Sequence, residues 1–138
     1  MPEHVGAALR RLVRARAQAR CEYCQTPEAY ATQALSVEHI LPLSKHGSTS
    51  ADNLALSCQG CNNHKFTRTR ALDPVTELTV ALYNPRRQIW SDHFAWLPDA
   101  RRLIGISPSG RATVETLRLN RSGLMGLRQA LIALGVHP

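Results

Sequence analysis

Cys21-Glu22-Tyr23-Cys24 and Cys58-Gln59-Gly60-Cys61 bracket Val37-Glu38-His39-Ile40-Leu41-Pro42 and Asp52-Asn53-Leu54, while Asn62 follows the last cysteine directly and Lys65 comes three later. Two close cysteine pairs separated by 33 residues have the spacing of a tetrahedral zinc site, in which four thiolates hold one ion. A thioredoxin-like redox site needs one such pair at a strand-to-helix junction, so the second pair argues against it. Between the pairs, Leu35 to Leu41 alternates as a strand ended by Pro42, and Ser44 to Ser50 is a polar loop containing Gly47. A second strand fits Asn53 to Leu56, and Cys61 to Arg70 suits a helix with Pro74 beyond it. The order strand, strand, helix around a four-cysteine site predicts an α+β fold.

Working outward, Val5, Ala8, Leu9, Leu12 and Val13 form a helical stripe from about His4 to Arg20, interspersed with arginines. Cys21 to Tyr30 reads as the zinc-knuckle turn. After Pro74, Thr76 to Tyr83 is strand-like, and Trp90 to Leu97 with Arg102 to Ile106 suits a hairpin turning at Pro98-Asp99. Ser109 is the expected N-cap of a helix through about Leu119, and Ser122 that of a last helix with Leu124, Leu127, Leu131 and Leu134 on one face. That leucine face is core or a homodimer contact. With no linker or repeat, residues 1–138 are expected to form a single domain: a basic helix over 1–20, the knuckle and strand-strand-helix core over 21–70, and an integral α/β extension over 71–138.

Seventeen Lys and Arg oppose ten Asp and Glu, giving a net charge of +7, and fifteen of the seventeen are arginines. This balance predicts a polyanionic partner, and the guanidinium fork matches phosphate oxygens. Both halves are basic, +4 up to residue 70 and +3 after it, so neither is a detached basic tail. Arg10, Arg14, Lys45, His64, Arg68, Arg86 and Arg111 are the candidate nucleic-acid contacts. The start Met1-Pro2-Glu3-His4 lacks the pattern of a secretion signal, and no apolar run suits a membrane span. A cytoplasmic location is therefore expected, where paired cysteines point to metal rather than disulfides.

Adjacent side chains on a strand point to opposite faces, so at the end of its strand His39 can face a substrate while Glu38 turns toward a metal. Asn62 is expected to open the following helix, with Lys65 about 60° around the same face. A carboxylate and an amide oxygen suit a hard ion such as Mg²⁺ or Mn²⁺.

Glu38-His39-Ile40-x-Pro42, Gly47, Asn53-Leu54 and Cys58-x-x-Cys61-Asn62-x-x-Lys65 together resemble the HNH endonuclease motif of the zinc-knuckle type, over roughly Cys21 to Arg70. Asp73-Pro74-x-Thr76, Asn84-Pro85-Arg86, Trp90-x-x-His93-Phe94, Gly110-Arg111-x-Thr113 and Leu119-Asn120-Arg121 also resemble the extension of a bacterial HNH subgroup. The resemblance implies a ββα-metal fold, a structural zinc on Cys21, Cys24, Cys58 and Cys61, and a catalytic divalent ion on Glu38 and Asn62. It further implies His39 as general base, Asn53 orienting the histidine loop, Lys65 beside the phosphate, and hydrolysis of DNA, double-stranded first of all, to 5′-phosphate and 3′-hydroxyl ends. Glu38 stands where Asp is frequent and Asn62 where His is frequent, which favours Mg²⁺ or Mn²⁺ over softer metals. Two other classes compete: a non-catalytic zinc-binding nucleic-acid module, and a nuclease toxin with an inhibitor partner. A mere scaffold has no physical need for Glu38, His39, Asn53, Asn62 and Lys65 together.

Overall fold

The computed structural model describes residues 4–138, so the part of the expected basic segment at residues 1–3 lies outside the described residues. Among the described residues, four α-helices and three two-stranded antiparallel sheets give an α+β architecture. It divides into two compact units, one of Met1–Thr69 with Asn84–Gln88 and the other of Arg70–Tyr83 with Ile89–Pro138. No helix among the described residues is long and apolar enough to cross a membrane.

In the first unit, helix α1 (Ala7–Arg16) buries Val13 and ends on Arg14 and Arg16, cations suited to the negative end of a helix dipole. The chain then makes the knuckle turn, where Cys21 N–H donates to Thr26 O and Gln25 N–H to Cys21 O, both at 2.9 Å. Strands β1 (Ser36–His39) and β2 (Leu54–Ser57) pair antiparallel, with Glu38 opposite Ala55 and His39 opposite Leu54. Helix α2 (Gln59–Lys65) follows directly, completing the strand-strand-helix order. Its start differs from the sequence expectation. Cys58 is the N-cap, its sulfur accepting from Cys61 N–H, so Asn62 lies one turn inside the helix rather than opening it. The end differs too, because Phe66 adopts φ 51°, ψ −123°, a backbone turn no helix continues through.

The second unit begins where that helix was expected to run on: Arg70–Leu72 is strand β3, paired with β4 (Thr79–Ala81). The strand expected over Thr76–Tyr83 is shortened because Asp73 takes the backbone into a turn. Its carboxylate accepts from Val75 N–H at 3.1 Å, Thr76 N–H at 3.3 Å and the Thr76 hydroxyl at 2.7 Å. Strands β5 (Phe94–Trp96) and β6 (Leu103–Gly105) form the expected hairpin. Helix α3 (Pro108–Thr116) is capped by Ser107 rather than Ser109, since Pro108 presets the first helical residue and the Ser107 hydroxyl accepts from Gly110 N–H at 2.9 Å. Helix α4 (Ser122–Ala133) starts after Arg121, not with Ser122 as its cap, and buries Leu124 and Leu131. The apolar centre of this unit is built from Phe94, Leu103, Ala112, Leu117, Leu119 and Leu131.

Asp73 is fully buried and receives both Arg111 Nε and Nη2 at 2.9 Å. The guanidinium holds this carboxyl well below the usual range, helped by the Thr76 hydroxyl and two backbone N–H groups. A carboxyl depressed in the folded state stabilises it above the unfolded value of about 3.9, and that contribution drains away as pH falls through the folded value. Thermal melts from pH 6 downward are expected to show a steep acid limb in the native protein. Asp73→Asn should start from a lower melting temperature at neutral pH and lose less on acidification. Parallel limbs would contradict the assignment.

Candidate metal centre and active-site loop

The four sulfurs of Cys21, Cys24, Cys58 and Cys61 all lie within 4.8 Å of one another, and every one of these residues is buried. Cys24 Sγ and Cys58 Sγ are 3.7 Å apart. A tetrahedron with zinc–sulfur bonds of about 2.3 Å has an edge of about 3.8 Å, so the spacing of the thiols fits a zinc ion. Each pair also folds its own N–H onto its first sulfur, Cys24 N–H to Cys21 Sγ and Cys61 N–H to Cys58 Sγ, at 3.5 Å. Burial pushes the Cys21 thiol up, while hydrogen bonds from Cys21, Cys24 and Cys61 pull Cys58 well down. A cluster this dry favours a thiolate only where neighbours compensate its charge, and a bound cation supplies that compensation for all four.

Beside the knuckle lies a second buried group. Glu38 alternates into the interior of β1 and is 6% exposed. The Tyr23 hydroxyl donates to its Oε1, and Lys65 Nζ stands 3.6 Å from its Oε2 while donating to Ile40 O at 3.0 Å. Burial pushes the Glu38 carboxyl up, opposed by the Lys65 charge and then by the Tyr23 hydrogen bond. The structure thus brings Glu38 and Lys65 together, but Lys65, expected beside a phosphate, is only 2% exposed and turned inward. The reason is local. Without the ammonium the buried Glu38 carboxylate would be an uncompensated charge, and Lys65 satisfies the Ile40 carbonyl there as well. Asn62, half-buried on the same helix, has its amide free of hydrogen bonds to the other described residues.

His39, next along β1, is half-buried at the end of the strand. Its Nε2 lies 2.7 Å from the Thr49 hydroxyl. The loop between the strands is held by Asn53: its Oδ1 accepts from Leu41 N–H at 2.9 Å, and its Nδ2 donates to Leu41 O at 3.0 Å and Ser48 O at 2.8 Å. Gly47 passes so close that an added Cβ would sit 1.7 Å from Leu41 O. Only glycine lets the loop close onto Asn53. Thr49 was invisible to sequence reasoning, since a threonine in a polar loop carries no signal of which side chain it meets.

Residues 21–68 match the HNH endonuclease family model. They are 48 of the 138 residues, so the second half of the chain stands outside the match. No curated protein and no solved structure matches the chain. A match to the HNH model implies a nuclease-type or nucleic-acid-related function, and the four clustered cysteines are consistent with an HNH of the zinc-knuckle type.

The cations expected to face nucleic acid around this HNH segment divide into two groups. Arg14 is paired with Glu28, Arg86 with Glu22, and Arg111 with Asp73, so these three serve the folded chain. Burial lowers the Arg86 guanidinium to about 10, and Glu22 also accepts Leu56 N–H at 2.9 Å. Arg10 donates to Val5 O at 2.9 Å, and Arg68 to His64 O at 3.4 Å. Lys45 is exposed beside His46, and His64 is half-buried on α2. Next to Arg86, Arg87 was not singled out in the sequence. It lines an open, mainly polar pocket of about 400 Å³ together with Leu41, His46, Ser48, Asp52 and Asn84.

Replacement of Cys58 by Ser is expected to abolish stoichiometric zinc, measured by elemental analysis of purified protein, and to lower the melting temperature sharply. Retained zinc and stability would mean that the cysteines do not form one site. Gly47→Ala is expected to cost about 1–3 kcal/mol in denaturant unfolding, because the Leu41 carbonyl must move; an unchanged midpoint would contradict the close approach.

Proposed function

We propose that the HNH segment is the catalytic centre of a divalent-metal-dependent endonuclease that hydrolyses phosphodiester bonds of double-stranded DNA. The observation that carries this reading is the placement of His39 on a loop closed by Asn53 and Gly47, with its Nε2 on the Thr49 hydroxyl. With Nε2–H donating to Thr49, Nδ1 keeps its lone pair. It takes the proton from the attacking water, whose oxygen attacks phosphorus in line with the departing 3′ oxygen. Products carry 5′-phosphate and 3′-hydroxyl ends.

Glu38 and Asn62 offer oxygen donors whose chemistry fits a hard cation such as Mg²⁺ or Mn²⁺. When bound, that ion supplies electrostatic stabilisation to the phosphate and the leaving oxygen. The chain's own contribution at Glu38 is a positive neighbour: Lys65 sets its ammonium 3.6 Å from the carboxylate that would hold the ion. The alternative of a non-catalytic zinc-binding module draws on the same contact, because a carboxylate engaged by Tyr23 and Lys65 also serves as a structural tie.

Plasmid digestion with Mg²⁺ or Mn²⁺ separates the two. His39→Ala is expected to lower cutting by at least ~100-fold with zinc content and melting temperature unchanged. Equal cutting by this variant would overturn the assignment, and no cutting by the native protein with any divalent metal would favour the binding module. Thr49→Val should lower the turnover rate roughly 2- to 10-fold, the worth of one hydrogen bond, with Thr49→Ser restoring it. A Ser variant no better than Val would show that the hydroxyl does not orient the histidine.

A further inference from the structure

Asn84–Gln88 comes from beyond the HNH match yet belongs to the same compact unit. It is a rigid turn. Arg87 N–H and Gln88 N–H both donate to Asn84 O, at 3.1 and 3.0 Å, Arg86 N–H donates to Asn84 Oδ1 at 2.9 Å, and Asn84 N–H donates to Gln88 Oε1 at 2.9 Å. Arg86 pins this turn to Glu22, one of the two residues between Cys21 and Cys24, with both side chains nearly buried. Two consecutive arginines therefore have opposite fates. One is an internal anchor. The other, exposed Arg87, makes no side-chain hydrogen bond or ion pair with the described residues and lines the polar pocket.

The loop that follows His39 lines the same pocket, through Ile40 and Leu41, His46, held at φ 67°, and Ser48. Exposed Lys45 precedes His46 and is equally unpaired among the described residues. One carboxylate is present. Asp52 accepts from the Ser50 hydroxyl at 2.5 Å and lies in the field of Arg16, so its charge is answered from within the unit. Arg87 has no such counterpart. A guanidinium held on a pinned turn, unpaired, in a polar pocket bounded by the proposed catalytic loop, is arranged for an anion that the protein does not itself supply.

We infer that Arg87 is a nucleic-acid contact of the HNH unit, gripping a backbone phosphate of the DNA strand next to the one at His39, with the pocket receiving that nucleotide. The inference rests on the nuclease reading above and deepens it: the Asn84–Gln88 turn joins the catalytic loop in forming the substrate groove. Arg86 acts only as the positioning residue that holds the turn.

The test is binding of a short DNA duplex by His39→Ala protein, which leaves the substrate intact, followed by fluorescence anisotropy at several salt concentrations. Adding Arg87→Gln is expected to weaken binding about tenfold and to make the slope of log affinity against log salt shallower by about 0.9, the counterion release of one phosphate contact. Arg87→Lys should keep most of the slope, because the charge remains. Arg118→Gln, an exposed arginine of the other unit, should leave it unchanged, and all four proteins should melt alike. If Arg87→Gln binds as its parent does, or Arg118→Gln loses as much, the inference is overturned while the nuclease reading stands. If the parent fails to bind DNA and the native protein fails to cut it, both are overturned.

Discussion

The cluster of four sulfurs, placed to hold one metal ion, is the constraint on which the first unit depends. It joins residue 21 to residue 61 and so closes the segment that contains both strands, the intervening loop and the helix start. The apolar residues available to that unit are few, chiefly Val5, Val13, Leu35, Ile40, Leu54 and Leu56, and a short chain with so small a core gains most from a bound ion whose affinity is also folding free energy. The two residues between the first cysteines extend the effect. Tyr23 turns inward to Glu38, and Glu22 turns to Leu56 and Arg86. Position is thus passed from the metal loop to β1, β2 and the Asn84–Gln88 turn by three hydrogen-bonded contacts.

The cysteine site and the strand-strand-helix order were legible because both are written in spacing. Ligands three residues apart can meet one ion, and alternation fixes which face of a strand is buried. What spacing does not encode is the partner of a polar side chain. Helical phase set Lys65 near Asn62, yet nothing in the sequence said that this face of α2 lies against the end of β1, where Ile40 O and Glu38 draw the ammonium inward. Asn62 read as a helix opener because asparagine caps helices well. It lost that place to Cys58, whose sulfur accepts the Cys61 N–H and so starts the helix four residues earlier.

The second unit shows another limit. Asp73, Thr76 and Arg111 stand as separate motif residues in the sequence, and Arg111 read naturally as a phosphate contact. In the fold they are one network around a buried carboxylate. A sequence gives the donor and the acceptor but not that they meet, 38 positions apart. Local rules erred by small steps, as at Ser107, where Pro108 moved the helix start by two residues from the serine expected to cap it.

The charge of +7 and the HNH match point the same way, toward nucleic acid as a partner class, but composition alone could not say which cations are available. An ion pair removes one charge of each sign and leaves the net value untouched. It nevertheless changes where the excess resides. Arg14, Arg86, Arg111 and Lys65 each spend their charge on a carboxylate, and Arg128 is spent on the carbonyls of Leu119 and Arg101. Five strong donors are thus absorbed in holding the chain together, as suits a guanidinium that satisfies several acceptors at once. The surplus falls to residues with no internal partner among those described, Lys45 and Arg87 included. Field at a surface comes from such unneutralised groups, so internal pairing decides which cations of a chain-wide basic excess face outward, Lys45 and Arg87 near the His39 loop and Arg11 and Arg118 elsewhere among them.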